Sequence, residues 1–411
     1  MTIRWITNLL GTAPALSQHI SADMQVIDVR DLVDKDGNSA DAVRKKIVEG
    51  CKLLSNGKKT IISCDYGISR SNAIAVGVLA LHESITYEEA VRKVLKATDE
   101  KEIKVGPLQV VRRALEEESK IRKLSPPSML ITGSTGFLGK SLTQKFLNNV
   151  DVNVIGLSSA NLDLTGGTTE LELIVSENNV KSIIHLANPR VYTSNVAMGM
   201  TLTMLRNVID VCVAHNLRLI YLSSWEVYTG YRSSELFANE SLPLLPKGPY
   251  AETKYLAEIL IENARRMQGL NCAIVRSSPV FGLDSDKPKF IYNFIDKIKR
   301  GEKIITHCYR NGKPALDLLY VDDLISAVYK LVQTEFNGNL NIGTGKVTTT
   351  YRIAELLQKL LAIKVDIEQT YIQSDMASIA MDATKATEIL GWKPTVNLEQ
   401  GLEIILGETK V

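Results

Sequence analysis

Two short segments of the sequence contain residues whose types and spacing suit chemistry on bound anions. The first runs from Cys64 to Arg70, reads CDYGISR, and lies between an apolar strand-like run and an apolar helical run. Such a loop directs backbone N–H groups inward, and the dipole of the following helix adds positive potential. We therefore expect Gly67 to permit the tight turn, Cys64 to have a lowered pKa, Ser71 to hydrogen-bond the sulfur, and Arg70 to hold two phosphate oxygens.

The pattern C-x-x-G-x-S-R-S between a strand and a helix resembles the dual-specificity and tyrosine phosphatase superfamily, over roughly residues 1–120. The resemblance implies that Cys64 is a nucleophile that forms a cysteinyl-phosphate, that Arg70 binds the phosphoryl group, and that an upstream aspartate protonates the leaving oxygen. We choose Asp34 for this role because its distance from Cys64 and the following Asn38 fit the family best, with Asp31 second. The candidates considered are Asp28, Asp31, Asp34 and Asp36.

One departure from the phosphatase pattern leaves an alternative open. Ser63 stands where the family usually carries a histidine just before the nucleophile, which removes one contact that tunes the thiolate. The alternative is a phosphate-binding interaction module that does not turn over.

The second segment, MLITGSTGFLGKSLTQKFL, has the order strand, glycine-rich turn, helix. Gly133 would allow the tight turn, Gly136 would let a pyrophosphate approach the backbone, and Gly139 would let the helix pack closely. A Walker phosphate loop would need glycine at position 134, where this chain has Ser134. Dinucleotide binding is therefore favoured over a mononucleotide phosphate loop.

A tyrosine and a lysine further along the chain have the spacing Y-x-x-x-K, which places both side chains on one helix face. The phenol of Tyr250 has an ordinary pKa near 10 and needs help to act as a base at neutral pH. The ammonium of Lys254 and a positive nicotinamide would lower that pKa. Lys254 would also hold ribose hydroxyls, and Ser224, at a strand end, would hydrogen-bond the reacting oxygen.

Order and motifs over about residues 128–411 resemble the extended short-chain dehydrogenase/reductase family, the NAD-dependent epimerase/dehydratase group. The shared segments include HLANP at 185–189, RSSPVFG at 276–282, LLYVDDL at 318–324 and NIGTG at 341–345. The resemblance implies a nucleotide-sugar substrate, catalysis by Ser224, Tyr250 and Lys254, and an NAD(P) cofactor. The residues expected to contact that cofactor are Gly133, Gly136, Phe137, Leu138, Gly139, Asp163, Leu164, Ala187, Tyr250 and Lys254.

The choice between NAD and NADP depends on the end of the second strand, where an acid favours NAD and an arginine favours NADP. This chain has Ser158 and Ser159 there. Because no carboxylate would repel the additional phosphate, we favour NADP slightly.

The resemblance also narrows the reaction. Family dehydratases carry an acid where this chain has Trp225, between Ser224 and Glu226, so dehydration is disfavoured and epimerisation or 4-keto reduction remains. The family's arginine for the nucleotide diphosphate is replaced by Leu316. Arg310 or Lys313 would take the place of this arginine. Because the arginine itself is missing, a different phosphorylated sugar remains an alternative substrate.

The sequence predicts a domain boundary at Lys120–Ser128, KIRKLSPPS, because two prolines that cannot continue a helix follow a charged helix end. We predict a phosphatase-like α/β domain over 1–123, a linker over 124–128, and the dehydrogenase domain over 129–411. In the first domain the patterns predict strands at 24–29 and 60–63, helices at 42–54 and 71–81, and a further helix that begins at Thr86 and is capped with help from Glu89. In the last domain, strand-like runs alternate with helical patterns, which predicts a Rossmann-type doubly wound parallel sheet with a small substrate-binding lobe.

Composition excludes several other classes of protein. The 411 residues contain 48 Lys and Arg against 46 Asp and Glu, so the net charge of +2 gives no case for nucleic acid. Five scattered cysteines without a C-x-x-C pair argue against a disulfide framework, and with five unclustered histidines they predict no metal site. The apolar run at 73–81 is much shorter than the roughly 20 residues of a membrane span, so we expect a cytoplasmic protein.

Together these observations predict a bifunctional protein that joins a Cys-dependent phosphatase-like domain to an NAD(P)-dependent nucleotide-sugar epimerase or 4-ketoreductase. The expected partners are a nucleotide sugar or phosphosugar, a phosphorylated protein, and a second copy of the chain in a homodimer, in polysaccharide biosynthesis. Two alternatives remain: a phosphate-reading module attached to the same enzyme, and a regulator that binds dinucleotide without catalysis.

Overall fold

The computed structural model describes residues 3–15, 24–35, 37–124, 127–147, 152–189, 191–285 and 289–407. By its contacts the chain divides into two compact units, residues 1–125 and 126–411. A helix ends at Leu124 and the next strand begins at Ser128. The domain bounds and the linker at 124–128 stay predictions.

The first unit is built on a four-stranded sheet with the order β1-β2-β4-β3. Strand β4 is central and parallel to both β2 and β3, whereas β1 is antiparallel to β2. Both strands that the sequence predicts in this unit are confirmed, with ends that shift by one residue. The strands are β1 (Arg4–Trp5), β2 (Leu10–Pro14), β3 (Met24–Asp28) and β4 (Lys59–Cys64).

Three helices of the first unit pack around a fourth, α2, which is buried from Ser71 to Ala80. An apolar helix with no polar face needs cover on every side, and here α1, α3, α4 and the sheet supply it. The hydroxyl of Thr86 accepts a hydrogen bond from the Glu89 N–H at 3.2 Å, which confirms the predicted cap of α3. The helices are α1 (Ala40–Ser55), α2 (Arg70–His82), α3 (Tyr87–Thr98) and α4 (Val105–Leu124).

The second unit contains a six-stranded, fully parallel sheet with the order β15-β10-β8-β7-β5-β6. The predicted doubly wound sheet is confirmed. Its strand order reverses beside β5, and ligands of such sheets bind beyond the carboxyl ends of the strands at this reversal. The strands of this sheet are β5 (Ser128–Thr132), β6 (Asn153–Leu157), β7 (Val180–His185), β8 (Arg218–Ser224), β10 (Cys272–Ser277) and β15 (Gly338–Ile342).

Helices cover both faces of the parallel sheet and form a hydrophobic core on each face. Met129 and Ile131 of β5 belong to one core, and Leu130 between them belongs to the other, as the alternation of a strand requires. The helical elements are α5 (Phe137–Leu147), α6 (Thr169–Glu177), α7 (Asn195–Ala214), a 3₁₀ turn (Trp225–Tyr228), α8 (Pro249–Gln268), α9 (Lys289–Lys299), α10 (Val321–Val332), α11 (Thr350–Leu361), α12 (Thr384–Leu390) and α13 (Leu398–Gly407).

Short strands from the later part of the chain form smaller sheets outside the parallel one. Strand β11 pairs with β14, β12 pairs with β17, and a third sheet has the order β16-β13-β18-β9. These strands are β9 (Leu236–Ala238), β11 (Val280–Phe281), β12 (Ile304–Tyr309), β13 (Ala315–Leu316), β14 (Leu319–Tyr320), β16 (Thr348–Thr349), β17 (Ile367–Ile372) and β18 (Ile379–Met381).

Helix α7 is long and apolar enough to cross a membrane by length and composition alone. Polar residues such as Thr201, Thr203 and Asn207 interrupt its apolar residues, so it contains no long uninterrupted apolar run. Leu205, Val208 and Cys212 of this helix are buried in the core, and the helix packs against α8. The core helix of a globular unit passes the same test of length and composition.

The turn from β4 into α2 requires glycine at position 67, as the sequence predicts. Gly67 has a φ of +70°, a left-handed conformation that residues with a Cβ rarely adopt. A Cβ added there would lie 2.4 Å from the Pro14 nitrogen and 2.5 Å from the carbonyl carbon of Ala13. Strand β2 therefore presses directly on the turn.

We predict that Gly67→Ala destabilises the first unit much more than Gly57→Ala does. Both positions have a similar left-handed φ, which costs roughly 1–2 kcal/mol for alanine, but Gly57 has no atom within 4 Å of an added Cβ. At Gly67 the collision with strand β2 adds about 1–3 kcal/mol. Hydrogen exchange of the full chain, read on peptides from 59–82, measures the difference, and equal loss of protection in both variants would contradict it.

Candidate active sites

In the turn from β5 into α5, the backbone lies in close contact with the segment after β7 and with the start of α5. Gly133 has a φ of +70°, and an added Cβ would lie 2.9 Å from the Ala187 nitrogen. At Gly139 an added Cβ would lie 2.2 Å from the Gly133 oxygen, so only glycine lets α5 begin this close to the strand. The first N–H groups of a helix have no partner within the helix, and here they point to the carboxyl edge of the sheet.

A cavity of about 700 Å³ lies above this turn. It brings together the predicted catalytic residues Ser224, Tyr250 and Lys254, although more than a hundred residues of sequence separate the tyrosine from the turn. The predicted cofactor contacts that line the same cavity are Gly133, Gly136, Phe137, Leu138 and Gly139.

Helix α8 carries Tyr250 in its first turn and Lys254 one turn later. The Lys254 ammonium donates to the Leu222 oxygen at 2.8 Å and to the Tyr221 hydroxyl at 3.3 Å, both on β8. It lies 5.7 Å from the centre of the Tyr250 ring. Ser224, the last residue of β8, is hydrogen bonded to Tyr250. The strand end and the helix thus hold a hydroxyl, a phenol and an ammonium together.

Burial changes the charge states at this cavity. The pKa of Tyr250 is raised because the phenol is buried and because Glu226 and Tyr192 lie nearby, although the Ser224 hydrogen bond opposes the shift. Burial lowers the pKa of Lys254 to about 8, against the opposing effect of Glu258 and Glu226. The expectation that Lys254 lowers the Tyr250 pKa is therefore wrong for the protein alone, since burial outweighs the neighbouring charge.

Three predicted cofactor contacts do not line the cavity. The Asp163 carboxylate caps its own turn, where it accepts from the Thr165 N–H at 2.9 Å and the Thr165 hydroxyl at 2.7 Å. Leu164 is buried in a core, and Ala187 packs against Gly133. Cofactor contacts from Asp163, Leu164 and Ala187 stay predictions from the motif.

Several residues that line the cavity were not selected from the sequence as site residues. They come from loops and helix starts far apart in the chain. Asn188, Pro189, Ser278 and Pro279 lie in the family segments HLANP and RSSPVFG, whereas no motif points to Tyr192, Lys289 or Phe290. Tyr192 meets the Tyr250 ring edge-on at 4.9 Å between centroids. Ser278 is buried, and its hydroxyl has no hydrogen-bond partner among the described residues. The other residues of this kind include Asn188, Pro189, Pro279, Lys289 and Phe290.

The cations proposed to replace the family arginine lie elsewhere. Leu316 lines the cavity, as its alignment with that arginine requires. Arg310 is exposed and pairs with Asp375 through a 2.7 Å contact from Nε, and Lys313 lies 4.5 Å from the centre of the Tyr351 ring. Lys289, at the start of α9, is a cavity-lining cation that the sequence analysis did not consider.

In the first unit, the Cys64 thiol lies at the start of the predicted loop. Its sulfur accepts a hydrogen bond from the Gly67 N–H at 3.2 Å and lies 3.4 Å from the Ser71 hydroxyl. Burial alone would raise the pKa of this thiol, but the Ser71 hydroxyl and the N–H groups of Ser71, Gly67 and Tyr66 outweigh it. The pKa lies below its usual value, as predicted from the loop.

Arg70 does not contact the sulfur in the described structure. Its guanidinium donates to the Leu32 oxygen at 2.8 Å and the Arg30 oxygen at 3.2 Å, and it pairs with the carboxylate of Asp65. The expectation that this fork is directed at a phosphate is therefore not met, because a carboxylate within the loop and two upstream carbonyls occupy its N–H groups.

Asp34 lies close to this loop, on the same segment as the carbonyls that bind Arg70. Burial would raise the pKa of its carboxyl, but an ion pair with Lys104 and the positive charge of Arg70 hold the pKa below its usual value. Asp28 is held by Arg30, and Asp31 lies 3.3 Å from the Lys46 ammonium. Asp36 lies outside the described residues.

The cysteines are all free, and within the described ranges there is no group of three or more His, Cys, Asp or Glu side chains that would hold a metal ion. Cys64 is the one cysteine among them for which the sequence predicts a catalytic role.

Solved structures of known proteins share the fold of the second unit. A UDP-glucose 4-epimerase from Thermus thermophilus in complex with NAD aligns with a TM-score of 0.61 and 19% identity, over 69% of this chain and 100% of that one. RMD from Pseudomonas aeruginosa, complexed with NADPH, aligns with a TM-score of 0.60 and 22% identity, over 69% of this chain and 99% of that one.

Curated relatives are similar in sequence over the same region. UDP-glucuronic acid decarboxylase 6 from Arabidopsis thaliana is 28% identical over 302 residues, which cover 67% of this chain and 87% of the relative. A putative UDP-glucose 4-epimerase from Methanocaldococcus jannaschii is 27% identical over 305 residues, which cover 69% of this chain and 98% of the relative.

The sequence model of the NAD dependent epimerase/dehydratase family matches residues 129–343, more than half of the chain. The match begins one residue into β5 and includes the glycine turn, Ser224, Tyr250 and Lys254. Residues before 129 lie outside it, so the resemblance of the first unit to phosphatases stays a prediction. The chain belongs to the NAD-dependent epimerase/dehydratase family of enzymes.

Proposed function

We propose that the second unit is an NAD(P)-dependent epimerase or 4-ketoreductase that acts on a nucleotide sugar. The observation that carries this proposal is that Ser224, Tyr250 and Lys254 share one cavity with the glycine turn. Relatives named as UDP-glucose 4-epimerase and UDP-glucuronate 4-epimerase support the substrate class. The Trp225 side chain in the cavity cannot donate a proton, so we favour these reactions over dehydration.

The residues present fit a dinucleotide. The close approach of Gly139 to Gly133 lets α5 begin directly at the end of β5, and the N-terminus of α5 suits a pyrophosphate. The buried hydroxyl of Ser278 borders the same cavity without a partner among the described residues, as expected of a group that meets a polar ligand. When bound, the nicotinamide supplies the hydride exchange.

Proton transfer falls to Tyr250 in this proposal. The Tyr250 phenolate takes the proton of a sugar hydroxyl as the carbon that bears this hydroxyl is oxidised, and the resulting phenol returns the proton when the carbonyl is reduced. Ser224, already hydrogen bonded to the phenol, orients the reacting oxygen. Lys254, anchored to β8 at 2.8 Å, provides positive charge beside the phenol and donors for ribose hydroxyls.

We predict that Tyr250→Phe lowers kcat by about 10²–10⁴-fold while dinucleotide affinity changes little, because the variant loses proton transfer and keeps the ring. The rate of conversion of UDP-glucose and UDP-glucuronate measures kcat, and a fluorescence titration with the dinucleotide measures its affinity. Tyr255→Phe is the matched control, since Tyr255 lies on the same helix and does not line the cavity. Retained turnover in Tyr250→Phe would contradict the assignment.

The cofactor preference is a second step of the proposal. Ser158 and Ser159 follow β6, and the Ser158 hydroxyl donates to the Asn161 side-chain oxygen at 2.8 Å. A strand end without a carboxylate tolerates the additional phosphate of NADP. We therefore favour NADP over NAD.

We predict that wild-type protein binds NADPH more tightly than NADH, and that Ser159→Asp weakens NADPH binding by about tenfold, or about 1.4 kcal/mol. The introduced carboxylate would repel the phosphate but leave room for a ribose hydroxyl. Titration of both dinucleotides into both proteins, with native mass spectrometry of any retained cofactor, measures this. Tighter binding of NADH to the wild type would contradict it.

A second candidate function concerns Cys64, which is hydrogen bonded by the Gly67 N–H and lies against Ser71 at the start of a buried helix. The thiolate would attack the phosphorus of a phosphomonoester, the bond to the leaving oxygen would break, and Asp34 would protonate that oxygen. Water would then release inorganic phosphate from the sulfur. The substrate would be a phosphosugar or a phosphorylated protein.

We predict that wild-type protein hydrolyses p-nitrophenyl phosphate, with a rate that rises as the pH falls until protonation of the Cys64 thiolate offsets the gain. Lys104 and Arg70 hold the Asp34 carboxyl ionised at neutral pH, so its proton is available only in acid. Cys64→Ser abolishes the rate, and Cys51→Ser, a buried thiol of the same unit, leaves it unchanged. A wild-type rate no higher than that of Cys64→Ser would contradict hydrolysis and favour the alternative of a phosphate-binding module.

The homodimer, a shared role in polysaccharide biosynthesis and the cytoplasmic location stay predictions from the sequence. A regulator that binds dinucleotide without catalysis remains the third hypothesis, and Tyr250-dependent turnover would exclude it.

A further inference from the structure

A buried carboxylate lies one helical turn beyond the predicted catalytic lysine. Tyr250, Lys254 and Glu258 follow one another at intervals of four on α8, so their side chains share one face of the helix. Glu258 is 5% exposed. It does not line the cavity that contains Tyr250, and instead borders a separate cavity of about 510 Å³.

Two strands of the parallel sheet bind this carboxylate. Arg276 of β10 meets it with Nε at 3.1 Å from both oxygens and with Nη2 at 2.7 Å from Oε2. The hydroxyl of Ser223 on β8 donates to Oε1 at 2.5 Å. Ser223 directly precedes Ser224, so Glu258 holds the strand that carries the reacting hydroxyl.

The network continues from Arg276 into the turn that carries Glu226. Arg276 Nη1 donates to the Tyr228 hydroxyl at 2.7 Å, and Tyr228 ends the 3₁₀ turn that begins at Trp225. The Tyr228 hydroxyl in turn donates to the Asn341 side-chain oxygen on β15 at 3.3 Å. One connected set of buried polar groups therefore joins α8, β8, the 3₁₀ turn, β10 and β15.

Such a network tolerates little displacement. Removing both charges from water is costly, and the cost is recovered only when each group keeps its partners in good geometry. A shift of α8 along the sheet would break the Glu258 contacts to both strands at once. The arrangement therefore favours one register of the helix, the register in which Tyr250 meets Ser224.

We propose that Glu258 is a positioning residue, which fixes α8 against β8 and β10 so that Tyr250 and Lys254 stay opposite Ser224. This inference rests on the proposed function, since the side chains that it positions are those of the nucleotide-sugar site. Glu258 acts through these side chains and does not touch the cavity.

Glu258 also raises the pKa of Lys254. The groups that face this ammonium are Tyr221 on β8, His185 on β7, Tyr250 and Glu258 on α8, and Glu226 in the 3₁₀ turn. Burial keeps His185 neutral, with a pKa lowered to about 3, and keeps Tyr221 protonated. Glu226 and Glu258 are thus the negative charges of this set, and losing Glu258 would lower the Lys254 pKa further.

The test compares Glu258→Gln, the charge-neutral double variant Glu258→Gln/Arg276→Gln, and Ser223→Ala with the wild type. Glu262→Gln is the matched control, because Glu262 lies one turn further on α8 and pairs with Arg266 and Arg265 of the same helix. Both Glu258→Gln proteins should lose about tenfold or more in kcat with a smaller change in KM. The alkaline limb of the pH profile should move down by about one pH unit, because Lys254 deprotonates earlier. Ser223→Ala should lower kcat without moving that limb.

The double variant removes both charges of the buried pair, so neither is left unpaired. It is therefore the variant to measure if Glu258→Gln alone fails to fold. If the double variant matches Glu262→Gln in kcat and in pH profile, the inference is wrong. An independent measurement is the titration of the Lys254 Nζ signal by NMR in protein labelled with ¹⁵N-lysine, assigned by its loss in Lys254→Arg. If wild-type protein converts no nucleotide sugar, the proposed function fails, yet an unchanged Lys254 titration in the double variant would still overturn the role of Glu258.

Discussion

Both candidate sites depend on the close approach of two backbone segments where a buried parallel strand turns into a helix. An added Cβ would lie 2.2 Å from the Gly133 oxygen at Gly139 and 2.4 Å from the Pro14 nitrogen at Gly67. With no side chain between them, the first N–H groups of the helix face the carboxyl edge of the sheet. Strands β4 and β5 each pair with a parallel strand on both sides, which fixes the edge to which these groups are attached.

The same strand-turn-helix geometry favours a different chemical group in each unit. In the first unit, the N–H of Gly67 lies 3.2 Å from a sulfur of the protein itself, so the loop favours the thiolate of Cys64. In the second unit, the turn opens into a cavity of about 700 Å³, which leaves the helix start available to a ligand. A strand-turn-helix connection thus favours a thiolate in the first unit, where Cys64 ends the strand, and leaves the start of the helix open to a ligand in the second.

Sequence reasoning succeeded where the chemistry depends on neighbours along the chain. The glycine turn, the Y-x-x-x-K pair and the Cys64 loop each lie within one strand-to-helix segment or one helix, so spacing alone positions their atoms. The alternation of strands and helices likewise predicted the parallel sheet. Contacts between distant segments carry no such signal. Tyr192 and Lys289 come from separate loops and helix starts, and Arg70 turns to the carbonyl of Leu32, thirty-eight residues earlier.

Charge states were the hardest property to foresee, because they depend on burial. A phenol beside an ammonium predicts a lowered pKa, but Tyr250 is buried next to Glu226, and its pKa is raised. Lys254 itself is weakened as a source of positive charge, with a pKa of about 8. Near neutral pH the protein alone therefore holds a protonated phenol.

A positive nicotinamide beside Tyr250 would add to the positive charge of Lys254 and favour the phenolate. In the proposed reaction, the tyrosine thus becomes a base mainly when the oxidised dinucleotide is bound, so proton removal and hydride removal are linked. The burial that keeps Tyr250 protonated in the protein alone would in this way restrict its action as a base to the complex with oxidised dinucleotide.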